Sequence, residues 1–130
     1  MATLIGELSK KIGIPAHTIR YYEELGLINP SRSESSYRVY IQEDEGRLLF
    51  IRQAKQYGFT LKDIKQILSL KDSGKTPCPQ VAKILARNLA DIDKRIMEMQ
   101  CFRQQLQEKY LRIELTKQFP GVVCGLIEED

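Results

Sequence analysis

The sequence has little of what membrane-spanning, secreted or catalytic proteins rely on. Its apolar runs are only a few residues long, whereas a bilayer-spanning helix needs about 20 apolar residues. The opening residues Met-Ala-Thr-Leu-Ile-Gly-Glu contain neither the basic region nor the apolar core of a signal peptide. We therefore expect a cytoplasmic protein with no membrane partner.

Cysteine is also scarce. The three cysteines, Cys78, Cys101 and Cys124, are odd in number and form no CxxC pair. This pattern argues against a disulfide framework, and the lack of a four-cysteine run argues against an iron-sulfur cluster. These residues are therefore either small buried groups or functional thiols.

Recognisable catalytic motifs are missing as well. We find no glycine-rich phosphate loop, nucleophile elbow or paired acid and base, so an enzyme is not expected. What the sequence does contain is an uneven charge distribution: residues 1–71 hold 11 Lys/Arg against 8 Asp/Glu, while residues 72–130 hold 9 of each. The basic excess lies in the amino-terminal half, as binding to phosphate would require.

Two short helices are predicted near the amino terminus. Apolar residues recur at helical spacing over 5–12 and Gly13 closes the run, while Pro15 can open a second helix that ends near Leu25 and Gly26. Two helices joined by a brief glycine-containing turn are typical of a helix-turn-helix, whose second helix enters the major groove of DNA.

The next segment predicts a wing and two more helices. Pro30–Ser36 reads as a loop feeding a strand at Tyr37–Tyr40, which together indicate a small β-hairpin. A third helix is expected over Gln42–Tyr57, and Thr60 begins a Thr-Leu-Lys-Asp cap for a fourth. The fold class is thus predominantly α-helical, with a winged helix-turn-helix domain over 1–71.

A hinge over 72–79 leads to one long helix, expected over 80–117. Stepping alternately by four and three residues gives a seam with eight apolar members of nine: Leu85, Leu89, Ile92, Ile96, Met99, Arg103, Leu106, Tyr110 and Ile113. Such a seam is typical of a coiled coil, and the simplest cover is the identical helix of a second subunit. Packing against the first domain is the alternative.

Four segments, 5–8, 19–27, 37–40 and 51–59, together closely resemble the MerR family of bacterial transcriptional regulators. The resemblance implies a winged DNA-binding domain, an antiparallel coiled-coil homodimer and a palindromic site in double-stranded promoter DNA. It also implies that the effector activates the promoter by bending and undertwisting this DNA, so that RNA polymerase is influenced indirectly through DNA shape.

The candidate DNA contacts lie on the second helix and the wing. Arg20 would face the groove, where arginine can bind a guanine edge or a phosphate. Tyr21 and Tyr22 point about 100° apart on a helix, so at most one of them touches DNA. Arg32 and Arg38 are interpreted as phosphate clamps. The full set is His17, Thr18, Arg20, Tyr21, Arg32, Tyr37 and Arg38.

Two cysteines mark the ends of the long helix. Cys78 lies near its start, beside Lys75, where the helix dipole and the cation favour the thiolate; Cys124 lies beyond its other end, in the effector loop 118–130. In the antiparallel dimer that the resemblance implies, Cys78 of one subunit would meet Cys124 of the other. A cysteine at position 78 resembles the branch that senses divalent ions, which implies mercury, cadmium, lead or zinc as the ligand.

The sequence departs from that branch at one ligand. Metal-sensing relatives carry a further cysteine eight or nine residues before the terminal one, whereas Leu115–Phe119 contains none. Two thiolates suffice for linear mercury, while zinc would need a carboxylate, water or Cys101 in addition. We expect Cys101 to flank the dimer interface, and Glu128–Asp130 to form a solvated acidic tail. The alternative function is a metal-free thiol sensor of oxidants or reactive carbonyls that uses Cys78 or Cys101.

Overall fold

The computed structural model describes residues 2–129. The chain divides into two compact units, Met1–Ala86 and Arg87–Asp130. The elements in chain order are β1 (Thr3–Leu4), α1 (Ile5–Ile12), α2 (Ala16–Glu24), β2 (Ser31–Arg32), β3 (Arg38–Tyr40), α3 (Gln42–Gln56), α4 (Leu61–Asp72), α5 (Cys78–Thr116) and α6 (Gly125–Glu128). This confirms the predicted fold class of a mostly helical chain with a small wing and one long helix.

The helices of the first unit end where backbone chemistry requires. Gly13 follows α1 with φ of 73°, and its N–H donates to the carbonyl of Ser9 at 2.9 Å. This left-handed conformation suits glycine, which has no Cβ to clash with the backbone. At the start of α4, Thr60 Oγ1 accepts from the Asp63 N–H at 3.0 Å, and Asp63 Oδ2 accepts from the Thr60 N–H at 3.0 Å. The predicted cap is therefore a reciprocal capping box.

The wing is the hairpin of β2 and β3, which belongs to a three-stranded antiparallel sheet in the order β1-β3-β2. Thr3 pairs with Tyr40 on one side of β3, and Arg32 pairs with Arg38 on the other. The strand expected at Tyr37 begins one residue later, and β1 is an addition to the predicted hairpin. The sheet thereby fixes the wing to the start of α1.

The core of the first unit forms where α1 to α4 meet the sheet. Ile19, Leu48, Ile51 and Ile64 are completely buried. Ile84, in the part of α5 that belongs to this unit, is 2% exposed and joins the same cluster. This packing holds α2 and the wing in fixed positions.

The second unit contains the rest of α5 and α6. Leu126 of α6 is 2% exposed, whereas the seam residues Leu89 and Ile96 on α5 are 61% and 50% exposed. The long helix begins at Cys78, two residues before the predicted start, so Cys78 lies in its first turn. Among the described residues, no helix combines the length and apolar character needed to cross a membrane.

Candidate nucleic-acid interface and cysteine sites

The outer face of α2 carries the residues expected to read DNA. Tyr22 is 6% exposed and packs inward, while the neighbouring Tyr21 is 49% exposed. Their ring centroids are 6.1 Å apart. His17 and Arg20 are also exposed, and Thr18 is half-buried. The structure thus separates a packing tyrosine from an available one.

The wing loop is closed by its own hydrogen bonds. The Ser33 N–H donates to the Tyr37 carbonyl at 2.8 Å, and Arg32 Nη1 donates to the Ser36 carbonyl at 3.0 Å. Tyr37 remains 65% exposed. One arm of the Arg32 guanidinium therefore helps to shape the loop.

Arg38 is paired rather than free. Its Nε donates to Glu23 Oε2 of α2 at 2.6 Å, with the two side chains 33% and 22% exposed. Close by, burial raises the pKa of the Tyr40 hydroxyl above its ordinary value, and the carboxylate of Glu23 raises it further. Arg38 and Arg20 oppose this shift. The wing and α2 therefore share one charged cluster.

A cavity of about 550 Å³ joins these elements. Of the predicted contacts, it is lined by Arg20, Arg32, Tyr37 and Arg38; His17, Thr18 and Tyr21 are not among its lining residues. Lys10 of α1 also lines it, and this residue was missed by the sequence analysis. The signal for Lys10 was a basic residue in the last turn of α1, which by itself does not reveal that α1 and the wing are neighbours.

The three cysteines differ in their surroundings. Cys78 and Cys101 are exposed, while Cys124 is half-buried and precedes α6 as its N-cap residue. Within the described residues of a single chain, no three His, Cys, Asp or Glu side chains are grouped so as to hold a metal ion. Ligands for a metal would therefore have to come from more than one chain or from fewer than three such side chains.

The effector loop is tied to the end of α5 by ion pairs. Arg112 donates to both oxygens of Glu129 at 2.8 and 2.7 Å, and Lys109 Nζ donates to Glu129 Oε2 at 3.1 Å. These hydrogen bonds, that from Arg112 first, lower the pKa of Glu129 to about 2. The Arg112 guanidinium also lies 5.2 Å from the centroid of the Phe119 ring, within cation–π range.

Glu128 closes the same loop from inside. Its Oε1 accepts from the Val122 N–H at 3.0 Å and from the Val123 N–H at 3.4 Å. Glu128 and Glu129 are exposed, as predicted for a solvated acidic tail, but the loop also brings amide and cationic donors to them. Asp130, the last residue of that predicted tail, lies outside the described residues.

The chain matches two family descriptions over most of its length. Residues 4–71 match "MerR HTH family regulatory protein", and residues 46–109 match "MerR, DNA binding". A similar protein, the mercuric resistance operon regulatory protein of Bacillus cereus, is 37% identical over 125 residues, covering 95% of this chain and 93% of that protein.

Solved structures agree with this match. The regulator PbrR691 from Ralstonia metallidurans CH34 in complex with lead(II) superposes with a TM-score of 0.76 at 29% identity, covering 97% of both chains. HiNmlR, a MerR family regulator bound to promoter DNA, gives a TM-score of 0.60 at 25% identity, covering 88% of this chain and 90% of that chain.

Proposed function

The chain belongs to the MerR family of helix-turn-helix transcriptional regulators that bind DNA, and on this premise we propose that it senses a divalent heavy-metal ion through cysteines as a homodimer. The match to regulatory proteins agrees with the prediction that the chain is not an enzyme. The observation that carries the proposal concerns the possible metal ligands of the loop: Cys124 has a half-buried thiol, while the nearby carboxylates of Glu128 and Glu129 already have partners.

A second copy of the chain is the proposed cover for α5. Ile92, Ile96 and Leu106 are about half exposed and line an apolar depression of about 580 Å³. Burying apolar area contributes roughly 25 cal/mol per Å², so a seam of this length favours association. We place the two helices antiparallel, so that Cys78 of one subunit lies beside Cys124 of the other.

The proposed ligand set is one thiolate from each subunit. Glu129 is held by Arg112 and Lys109, and Glu128 by two backbone amides, so a metal would compete with these partners for either carboxylate. Phe119 contributes no donor atom. Two soft thiolates suit a thiophilic ion that accepts linear coordination, which favours mercury over zinc; cadmium and lead are intermediate candidates that prefer more ligands.

On DNA, we propose that α2 lies in the major groove while Arg32 and Arg38 contact the backbone. Because each metal site would join two subunits, its occupancy would change the relative placement of the two reading domains. The DNA between them would be bent or untwisted, and RNA polymerase would respond to the altered promoter shape.

Mercuric chloride titration of the reduced protein tests the metal site. We expect thiolate-to-metal charge-transfer absorption that saturates at two ions per dimer, is lost in Cys78→Ser and in Cys124→Ser, and persists in the matched control Cys101→Ser. A wild-type protein without this absorption would contradict metal sensing. The exposed Cys78 and Cys101 would then favour the thiol-based sensor of oxidants or reactive carbonyls.

Mixed dimers test whether the site joins subunits. In a Cys101→Ser background, one subunit carries Cys78→Ser and the other Cys124→Ser. If the site joins subunits, this mixed dimer keeps one intact pair of cysteines. It should therefore show about half of the absorption of the Cys101→Ser dimer, whereas the two parent homodimers show none. No recovery would contradict the antiparallel placement.

A further inference from the structure

The hydroxyl of Tyr40 is a buried polar group that the structure leaves unsatisfied. Tyr40 is 1% exposed, and within the described residues its hydroxyl has no hydrogen-bond partner. A buried hydroxyl loses its bonds to water, and phenylalanine would fill the same space without that cost. Such a group calls for a role outside the stability of the free protein.

The position of Tyr40 connects it with the wing arginine. Arg38 and Tyr40 are two residues apart on β3, so their side chains leave the same face of the strand. That face is turned toward α2, because Arg38 Nε lies 2.6 Å from Glu23 Oε2. Glu23 is also the strongest charge acting on the Tyr40 hydroxyl, whose pKa it raises. The hydroxyl therefore keeps its proton and can donate.

We propose that Tyr40 is a positioning residue for DNA binding: when a backbone phosphate takes over the guanidinium of Arg38, the Tyr40 hydroxyl donates to the Glu23 carboxylate that Arg38 leaves. In the free protein Arg38 neutralises Glu23. In the complex the phosphate requires the same guanidinium, and Arg38 lines the same cavity as Arg20, Arg32 and Tyr37, three other candidate DNA contacts.

The exchange gives the Glu23 carboxylate a new hydrogen-bond partner when Arg38 leaves it. The Glu23 side chain is only 22% exposed, so water compensates poorly for the loss of its partner. A carboxylate left unpaired beside a phosphate would also repel it. A hydrogen bond from Tyr40 spreads the charge of Glu23 and frees Arg38 for the DNA backbone. This role concerns DNA binding alone and is independent of the proposed metal site.

Tyr40→Phe separates this role from a structural one. The probe is one duplex selected from a random-sequence pool by the wild-type protein, and binding is measured by fluorescence anisotropy alongside urea unfolding of the free protein. We expect unchanged or raised stability together with DNA affinity weakened about tenfold or more, the range of a hydrogen bond to a charged group. Unchanged affinity would overturn the proposal. So would a marked loss of folding stability, since the hydroxyl would then be paired in the free protein.

Glu23→Ala supplies the matched background. Without the carboxylate there is nothing for Tyr40 to satisfy, so adding Tyr40→Phe should leave the affinity of Glu23→Ala nearly unchanged. If Tyr40→Phe raises the logarithm of the dissociation constant in the Glu23→Ala background by at least half as much as in wild type, Tyr40 acts independently of Glu23 and the proposal is wrong. A smaller effect supports it.

Discussion

Gly125, next to the candidate ligand Cys124, lies against the backbone of the effector loop with no room for a side chain. A Cβ added there would lie 2.3 Å from the Pro120 carbonyl oxygen and 3.2 Å from the Phe119 carbonyl oxygen. The Gly125 N–H also donates to the Phe119 carbonyl at 2.8 Å. Both obstacles are backbone atoms, so Gly125→Ala cannot be accommodated by rotating a side chain.

The expected cost is that of overpacking a close contact, about 2 kcal/mol. The loop can relieve it by opening, without unfolding the first unit. A cost of this size corresponds to a roughly thirtyfold larger open population. Amide exchange reports this directly, because the Val122 N–H is held by Glu128 only in the closed loop. We therefore expect its exchange rate, measured by NMR, to rise about thirtyfold in Gly125→Ala.

Gly46 provides the matched control, because a Cβ there meets nothing within 4 Å. Gly46→Ala, within α3, should leave exchange in the loop unchanged and stabilise the first unit by up to about 1 kcal/mol. If Gly125→Ala exchanges like the wild type at Val122, the closed loop described above is not the conformation in solution. Glu128 and Glu129 would then lack the partners that disfavour metal binding, and selectivity for soft ions would no longer be expected.

Substitutions of the two neighbouring tyrosines should affect different properties, and a change of pH tests the effector loop. Tyr21→Ala should weaken DNA binding in anisotropy measurements without changing unfolding by urea, whereas Tyr22→Ala should destabilise the first unit by about 3–5 kcal/mol because a buried ring is lost; equal effects on stability would contradict the assignment. Glu129 has a folded-state pKa of about 2, below its ordinary 4.5, so its contribution to loop closure is present above pH 4.5 and lost as the pH falls toward 2. Amide exchange at Gly125, whose N–H donates to the Phe119 carbonyl, should rise over that interval, after correction for its intrinsic pH dependence, more in wild type than in Glu129→Gln.

The helices could be predicted because their ends are encoded locally. Gly13 and Gly26 follow their helices at φ of 73° and 79°, which glycine tolerates, and the Thr60 capping box uses residues only three apart. The strand β1 could not be predicted in this way. Two residues carry no periodicity, and Thr3–Leu4 is a strand only because β3 arrives 35 or more residues later to pair with it.

The same distinction applies to the site. Residue type and helical spacing predicted an exposed Arg20 on α2, and the consecutive tyrosines implied that only one of them would be exposed. Spacing could not reveal that Arg38 is paired with Glu23, because that contact joins residues 15 apart on different elements. Nor could it reveal the pairing of Glu129 with Arg112, which depends on the chain reversing after α5. Long-range ion pairs form only when the chain has packed, so the spacing of residues in the sequence does not predict which charges will be paired.

Carboxylates in both units are committed to partners, and this shapes what each unit can bind. Near the wing, the ion pair with Glu23 orders Arg38 in the free protein, so the arginine would lose less conformational entropy in the proposed contact with a phosphate. In the loop, Glu128 and Glu129 are held by amides and cations, whereas Cys124 carries a half-buried thiol outside any disulfide within the described residues. Hard ions such as magnesium and calcium, which require oxygen ligands, would have to displace those partners, whereas a thiophilic ion would not. Selectivity for soft ions would therefore arise as much from carboxylates withdrawn by internal pairing as from the thiolates themselves.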